Sequence, residues 1–251
     1  MSIAIRKPAD IEALRKANVI VAKTLAHIRE QIVPGLSMNE IDRIAESFIR
    51  SHGARPSFKG LYDFPASACV SLNEVIIHGI PTEYKLKEGD IVGVDIGTEL
   101  NGWYGDSAIT VGVGEISDEN KNLIACAKGS LYHAIDIIRP GMRFKELSAE
   151  IEKFIVGCGY VPLKGYCGHG IGKKPHEEPS ILNYVEGKSN QGPKIKNGMV
   201  FCLEPMICQK EGDSKLLEDR WSVVSTDGLI GSHYEHTVAI IDGRAEILSK
   251  I

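Results

Sequence analysis

Ile91-Val92-Gly93-Val94-Asp95-Ile96-Gly97 reads as a buried strand, and Tyr104-Gly105-Asp106-Ser107-Ala108-Ile109-Thr110-Val111 as its hairpin partner. Glu99-Leu100-Asn101-Gly102 between them carries the Asn-Gly turn signal. A loop centred between Leu100 and Asn101 sets Asp95 directly opposite Asp106, both on one face of the hairpin. Like charges opposed on a sheet repel, and burying them costs more unless a positive charge lies between them. A metal ion is the simplest remedy. The pair alone admits a plainer one, in which one acid pairs with a lysine or stays protonated.

The second half of the chain repeats the pattern. Lys196-Asn197-Gly198-Met199-Val200-Phe201-Cys202-Leu203-Glu204 restates Lys87-Glu88-Gly89-Asp90-Ile91-Val92-Gly93-Val94-Asp95 at a constant offset of 109 residues. His233-Tyr234-Glu235-His236-Thr237-Val238 places an acid before an apolar strand, as Asp106 does. Ile32-Val33-Pro34-Gly35-Leu36 and Ile138-Arg139-Pro140-Gly141-Met142 lie 106 residues apart, and the same offset maps Glu40 onto Glu146, Gly53 onto Gly159 and Pro56 onto Pro162. The chain therefore reads as one catalytic domain, 1–251, made of two helix–helix–strand copies, about 1–115 and about 116–251, related by a pseudo-twofold. A site built from both copies lies between them.

Periodicity supplies the elements. Ile11, Leu14, Ala17, Val21, Leu25, Ile28 and Ile32 follow helical spacing, stopped by Pro34-Gly35. Ser37-x-x-Glu40 is a capping box, followed by Ile41, Ile44, Ala45, Phe48 and Ile49 on one face. The second copy predicts helices from about Ser117 to Ile138 and from about Arg143 to Val156. Strand-like segments follow each pair. The expected class is α+β, with helices covering one face of a curved, largely antiparallel sheet.

Composition excludes several classes. The net charge of −4 argues against broad binding to nucleic acid or anionic membranes, so the lysines at 173–174 and 194–196 read as solvated loops. No apolar run approaches the roughly 20 residues of a membrane span, and Met1-Ser2-Ile3-Ala4-Ile5-Arg6-Lys7-Pro8 lacks a signal-peptide core. The six cysteines form no Cys-x-x-Cys, which leaves reduced thiols in a cytoplasmic protein as the expectation.

Gly168-His169-Gly170-Ile171-Gly172 flanks a histidine with glycines, leaving its imidazole room to approach a metal. His176 follows seven residues later, in a loop leaving the same site. His78, in Ile76-Ile77-His78-Gly79-Ile80-Pro81, shares His-Gly-Ile with His169 but follows a strand without a second acid, so it reads as a substrate contact. Glu204-Pro205 ends its strand abruptly and aims the carboxylate at the sheet centre. Asp95, Asp106, His169, Glu204 and Glu235 carry more negative charge than one divalent ion neutralises, which favours two. Such a centre activates water and polarises a carbonyl. Peptide, amide and phosphate hydrolysis all fit, phosphate least, because no arginine cluster or glycine-rich anion cradle accompanies the motifs.

Asp95-Ile96-Gly97, Tyr104-Gly105-Asp106-Ser107, Gly168-His169-Gly170-Ile171-Gly172, His176-Glu177-Glu178-Pro179, Phe201-Cys202-Leu203-Glu204-Pro205, Tyr234-Glu235-His236-Thr237 and Glu74 to Pro81 together resemble the type 1 methionine aminopeptidases along essentially the whole chain. No insertion interrupts His176 to Glu235 and no amino-terminal zinc-binding extension is present, as in the short bacterial form. The resemblance implies a pita-bread fold and removal of the initiator methionine from nascent proteins and peptides when the second residue is small. It implies two divalent ions, with Co, Mn, Fe and Zn all open. Asp95 would chelate one, His169 and Glu204 the other, and Asp106 and Glu235 both.

By the same resemblance Glu204 is the proton shuttle, His176 the donor to the carbonyl oxygen, and His78 a contact to the amide after the scissile bond. Phe64, Cys69 and Trp221 would line the methionine pocket. Expected partners are peptide or nascent-protein amino termini and, transiently, the ribosome, with the protein a monomer. Pro175 and Leu61 depart from some relatives, which carry aromatic residues there, and bear on fine specificity. Two rivals remain: the proline-specific enzymes of the same fold, which usually carry a large domain before the ligands whereas 94 residues precede Asp95 here, and a non-catalytic peptide-binding module, which would tend to lose ligands that this chain keeps.

Overall fold

A computed structural model describes residues 2–251. Helix α1, Pro8–Arg29, starts with proline at its first turn, and the Asp10 carboxylate accepts from the Lys7 amide at 3.1 Å. Its buried stripe is the expected one through Ile28. The helix stops three residues before Ile32, which is buried in the turn that follows, so the hydrophobic spacing outruns the helix. Helix α2, Met38–Ser51, opens on the expected capping box: the Glu40 amide donates to Ser37 Oγ at 3.2 Å and the Ser37 amide to Glu40 Oε2 at 2.9 Å. Helices α3, Asp118–Ile137, and α4, Phe144–Gly157, fall within a residue or so of their expected limits.

The hairpin joins Ile91–Leu100 to Trp103–Gly112 through a two-residue turn. Asn101 and Gly102 both have positive φ, 53° and 75°, as a type I′ turn requires. The turn is centred between these two residues, not between Leu100 and Asn101, and the register moves by one rung. Leu100 pairs with Trp103, Gly97 with Asp106 and Asp95 with Ala108. Asp95 and Asp106 are thus diagonal neighbours, not direct opposites. Side chains alternate with a period of two, so both acids still share one face.

Every strand pairing is antiparallel. On the edge of Ile91–Leu100 opposite its hairpin partner, Ala68–Leu72 pairs with residues 92–96 and Arg55–Pro56 with 98–99, in one sheet. A second sheet runs Arg244–Ile247, His236–Ile241, Val200–Leu203, Cys167–Gly170, Glu177–Leu182 in spatial order. Two shorter three-stranded sheets complete the framework. The outer face of the hairpin, Val92, Val94 and Ile96, packs with Ile20 and Val21 of α1 and Ile41 and Ala45 of α2. A separate core joins Leu131 of α3 and Leu147 of α4 to Phe201, Leu203 and Val238 of the second sheet. Helices α1 and α2 thus cover the outer face of the hairpin, and α3 and α4 the Phe201 face of the second sheet. The start of α1, through Ile11 and Leu14, also packs on Val200, Cys202 and Ala239 of that sheet's other face, from which the acids point.

Two features fix the hairpin in place. A Cβ on Gly105 would stand 2.8 Å from the Asn18 amide nitrogen and 2.9 Å from Ala17 C, so the strand lies directly on the backbone of α1. There Thr98 Oγ1 donates to Ala17 O at 3.0 Å, and the Asp106 amide donates to Asn18 Oδ1 at 3.2 Å. On the other side, Glu235 and Ala108 exchange both backbone hydrogen bonds, at 2.9 and 3.4 Å. Thr237 Oγ1 donates to Asp106 O at 2.8 Å and Thr110 Oγ1 to His233 O at 2.7 Å. These bonds carry the second sheet's acids to the hairpin's acids.

Candidate metal centre

Asp95, Asp106, His169, Glu204 and Glu235 line one cavity of about 650 Å³, together with His78, His176, Phe64, Cys69 and Trp221. Each acid comes from a different strand or strand end, and the strand pairings above bring them together. Asp95 and Asp106 stand on the hairpin, Glu204 follows Val200–Leu203, and Glu235 lies between Gly231–His233 and His236–Ile241.

Ligand atoms of Asp106, His169, Glu235 and Cys202 lie within 4.8 Å of one another. His169 Nε2 is 3.5 Å from Glu204 Oε1. His169 Nδ1 is 3.0 Å from the Gly170 carbonyl oxygen, an arrangement that puts the proton on Nδ1 and leaves the Nε2 lone pair free to ligate. The flanking glycines serve a different end from the one expected. A Cβ on Gly168 would overlap the Cys202 carbonyl oxygen, and one on Gly170 that of Glu178. They let the strand fit between its neighbours, rather than clearing space around the imidazole.

The cluster is electrostatically incomplete on its own. Asp95 Oδ1, Asp106 Oδ1 and Glu235 Oε1 are buried without any hydrogen-bond partner. Burial first, and then the charges of Glu235, Asp95 and Glu204, hold the Asp106 carboxyl well above the usual range. Burial and neighbouring acids do the same to Glu204 and Glu235, and burial pushes Asp95 up to about 6. Burial pushes His169 down to about 3. Four acids that cannot all ionise together, three with orphaned oxygens, beside an unprotonated imidazole, fit divalent cations.

Sequence reasoning missed two residues. Cys202 lies in the ligand cluster but is a buried thiol 3.4 Å from Thr237 Oγ1, and burial with the nearby Glu235 and Asp106 charges holds it protonated. Its signal is the period of two that puts it on the face of Glu204. His233 is buried, and its Nε2 lies 3.6 Å from Glu204 Oε2 without a hydrogen-bond partner. Only its position two residues before Glu235 hints at this.

The remaining expected residues surround the cluster. His176 stands beside His169. His78 has φ of 57° and meets Tyr166 edge-on at 5.7 Å; burial pushes its pKa down to about 4. Phe64 and Trp221 pack edge to face at 5.0 Å and form one apolar cluster with Cys69 and Phe58 at one end of the cavity. Leu61 lies on the cavity wall, and Tyr62 stacks over His176 at 6.1 Å.

An acid-rich cluster with one bare imidazole, sunk in a cleft between two antiparallel sheets, defines a metal-dependent hydrolase. The chain belongs to metallopeptidase family M24, whose model matches residues 12–242. It is 60% identical over 252 residues to the methionine aminopeptidase of Helicobacter pylori strain 26695, covering all of both chains. It is 42% identical over 246 residues to methionine aminopeptidase 1 of Bacillus subtilis, covering 98% of each. Methionine aminopeptidase from Rickettsia prowazekii superposes with a TM-score of 0.96 at 34% identity, over 99% of this chain and 100% of that one. Prolidase from Pyrococcus furiosus gives 0.80 at 25% identity, over 98% of this chain and 65% of that one. Among the described residues, no helix is long and apolar enough to cross a membrane.

Proposed function

We infer that the chain is a methionyl aminopeptidase that removes the amino-terminal methionine from peptides whose second residue is small. The full-length likeness to methionine aminopeptidases carries this reading. The convergence of five ligand-type side chains and an apolar pocket on one cavity supports it.

Asp95, Asp106, His169, Glu204 and Glu235 would hold two divalent ions, Asp106 and Glu235 shared between them. When bound, such ions lower the pKa of water and polarise a carbonyl. The chain's own groups do the rest. Phe64, Cys69 and Trp221 take the methionine side chain, and the free amine lies at the Asp95 end of the cluster, which restricts cleavage to the first bond. Glu204 accepts the proton of the attacking water at a carboxylate oxygen and returns it to the departing amide nitrogen. His176 donates a hydrogen bond to the carbonyl oxygen as negative charge grows there. His78 holds the amide beyond the scissile bond. Both imidazoles are kept neutral by burial, which suits donation without a standing charge.

Release of free methionine from Met-Ala-Ser and Met-Lys-Ser, after chelation and after adding back Mn, Fe, Co or Zn, tests the proposal. Metal-dependent cleavage of the first peptide only is expected. Turnover of an Xaa-Pro peptide with neither of these cleaved would overturn it in favour of a proline-specific enzyme.

A further inference from the structure

His233 is a buried imidazole with a fixed backbone and no hydrogen-bond partner at Nε2. Its amide donates to Thr110 Oγ1 at 3.0 Å, its carbonyl accepts from the same hydroxyl at 2.7 Å, and it pairs with Met206 across the antiparallel ladder. The residue is 4% exposed. Its Nε2 lies 3.6 Å from Glu204 Oε2, while His169 Nε2 lies 3.5 Å from Glu204 Oε1. The Glu204 carboxylate therefore sits between two imidazoles.

The two rings differ in what they offer. His169 directs Nδ1 at a carbonyl oxygen, which fixes its proton there and leaves Nε2 as a lone pair. His233 directs Nε2 at Glu204 Oε2; once that carboxylate is ionised, as ligation requires, a neutral imidazole satisfies it only with the proton on Nε2. A buried donor left unpaired is destabilising, so a small adjustment that closes the 3.6 Å gap is favourable. His169 and Glu204 line the cavity, whereas His233 is buried beside Glu204 and does not line it.

We propose that His233 is a positioning residue: its Nε2–H donates to Glu204 Oε2 and holds that carboxylate in the orientation that ligation and proton transfer need. The inference rests on the role given above to Glu204. Partners of this kind, which hydrogen-bond a ligating side chain, typically contribute 10–100-fold in metal affinity or activity.

The test compares the parent with His233→Leu, which removes the donor, and His233→Gln, which keeps an N–H at similar reach. Each metal-free protein is titrated with Mn²⁺ by calorimetry, and kcat and KM on Met-Ala-Ser are measured at saturating Mn²⁺. The Leu variant should bind Mn²⁺ about 10–100-fold more weakly and show a lower kcat at unchanged KM. The Gln variant should recover both. His233→Met replaces Leu if the latter does not fold. Parental Mn²⁺ affinity and kcat in the Leu variant would overturn the proposal. Equal impairment of Leu and Gln would also overturn it, by assigning the site to ring shape. A parent that neither binds Mn²⁺ nor releases methionine would remove the underlying metal-site reading, and this inference with it.

Discussion

The rings of His169 and His176 meet edge to face, with centroids 4.5 Å apart and planes at 86°. On its other side His176 carries the nearly parallel ring of Tyr62. His169 is set by its strand and by the Gly170 carbonyl, whereas His176 comes from the loop beyond, so the two stand side by side with separate supports. His176→Ala should therefore lower kcat by about 10²–10³-fold, the usual loss for one donor to a developing oxyanion, while metal content stays at the parental level. Turnover and metal analysis of the purified variant decide it. Loss of metal would make His176 part of the ligand framework.

Burial and the charges of Glu235, Asp95 and Glu204 all act against ionisation of Asp106. Asp106→Asn keeps the shape but removes the charge. Activity should disappear and metal stoichiometry should fall, while the metal-free variant should melt at or above the parental temperature because a buried repulsion is gone. A fully active variant would exclude Asp106 as a shared ligand.

The shared face of Asp95 and Asp106 was legible before the structure because strand alternation survives a shift of the turn by one residue. The rung was not, because Glu99-Leu100-Asn101-Gly102 admits two centrings, and the positive φ of Asn101 and Gly102 decides between them. The capping box at Ser37 and Glu40 was readable from four residues, since its bonds are local. The early end of α1 was not, because Ile32 stays buried after the helix stops. Cys202 looks like any apolar strand residue and His233 like any polar one; alternation hints at each, but long-range pairing is what brings them to the acids of other strands. The reason for Gly105 was equally hidden, since it depends on a helix 88 residues earlier in the chain packing against it.

Gly105→Ala should damage both stability and metal binding. The added methyl meets backbone atoms of Ala17 and Asn18, which cannot rotate away, so α1 must shift. Overpacking of this kind costs about 1–3 kcal/mol, measurable as a lower urea midpoint. The shift also strains the bond from the Asp106 amide to Asn18 Oδ1, so Mn²⁺ affinity should fall with stability. An unchanged midpoint would mean that α1 is not held against this strand in solution.

The metal-free protein should lose stability as pH rises above about 6.5. Asp95 titrates at about 6 in the folded chain, and Asp106, Glu204 and Glu235 higher than their ordinary values. In the unfolded chain all four ionise near their ordinary values of about 4. Between those limits the folded state binds more protons, so stability falls with increasing pH. The histidines act oppositely. Burial holds His169 down to about 3 and His78 and His236 to about 4, with His176 and His233 also lowered. The unfolded chain protonates these below about 6.5, so their contribution rises with pH up to that value and is then constant. The two slopes oppose each other from about pH 4 to 6.5. Above that window the acids govern the slope until, at about pH 8.5, the buried thiols of Cys69, Cys202 and Cys208, which burial pushes up, add to it. Bound cations favour the ionised carboxylates and remove the decline. Melting temperatures from pH 5.5 to 8.5, with chelator and with Mn²⁺, test this. A chelated protein as stable at pH 7.5 as at 6.5 would show that burial and mutual repulsion do not hold these acids above their ordinary values in the folded chain.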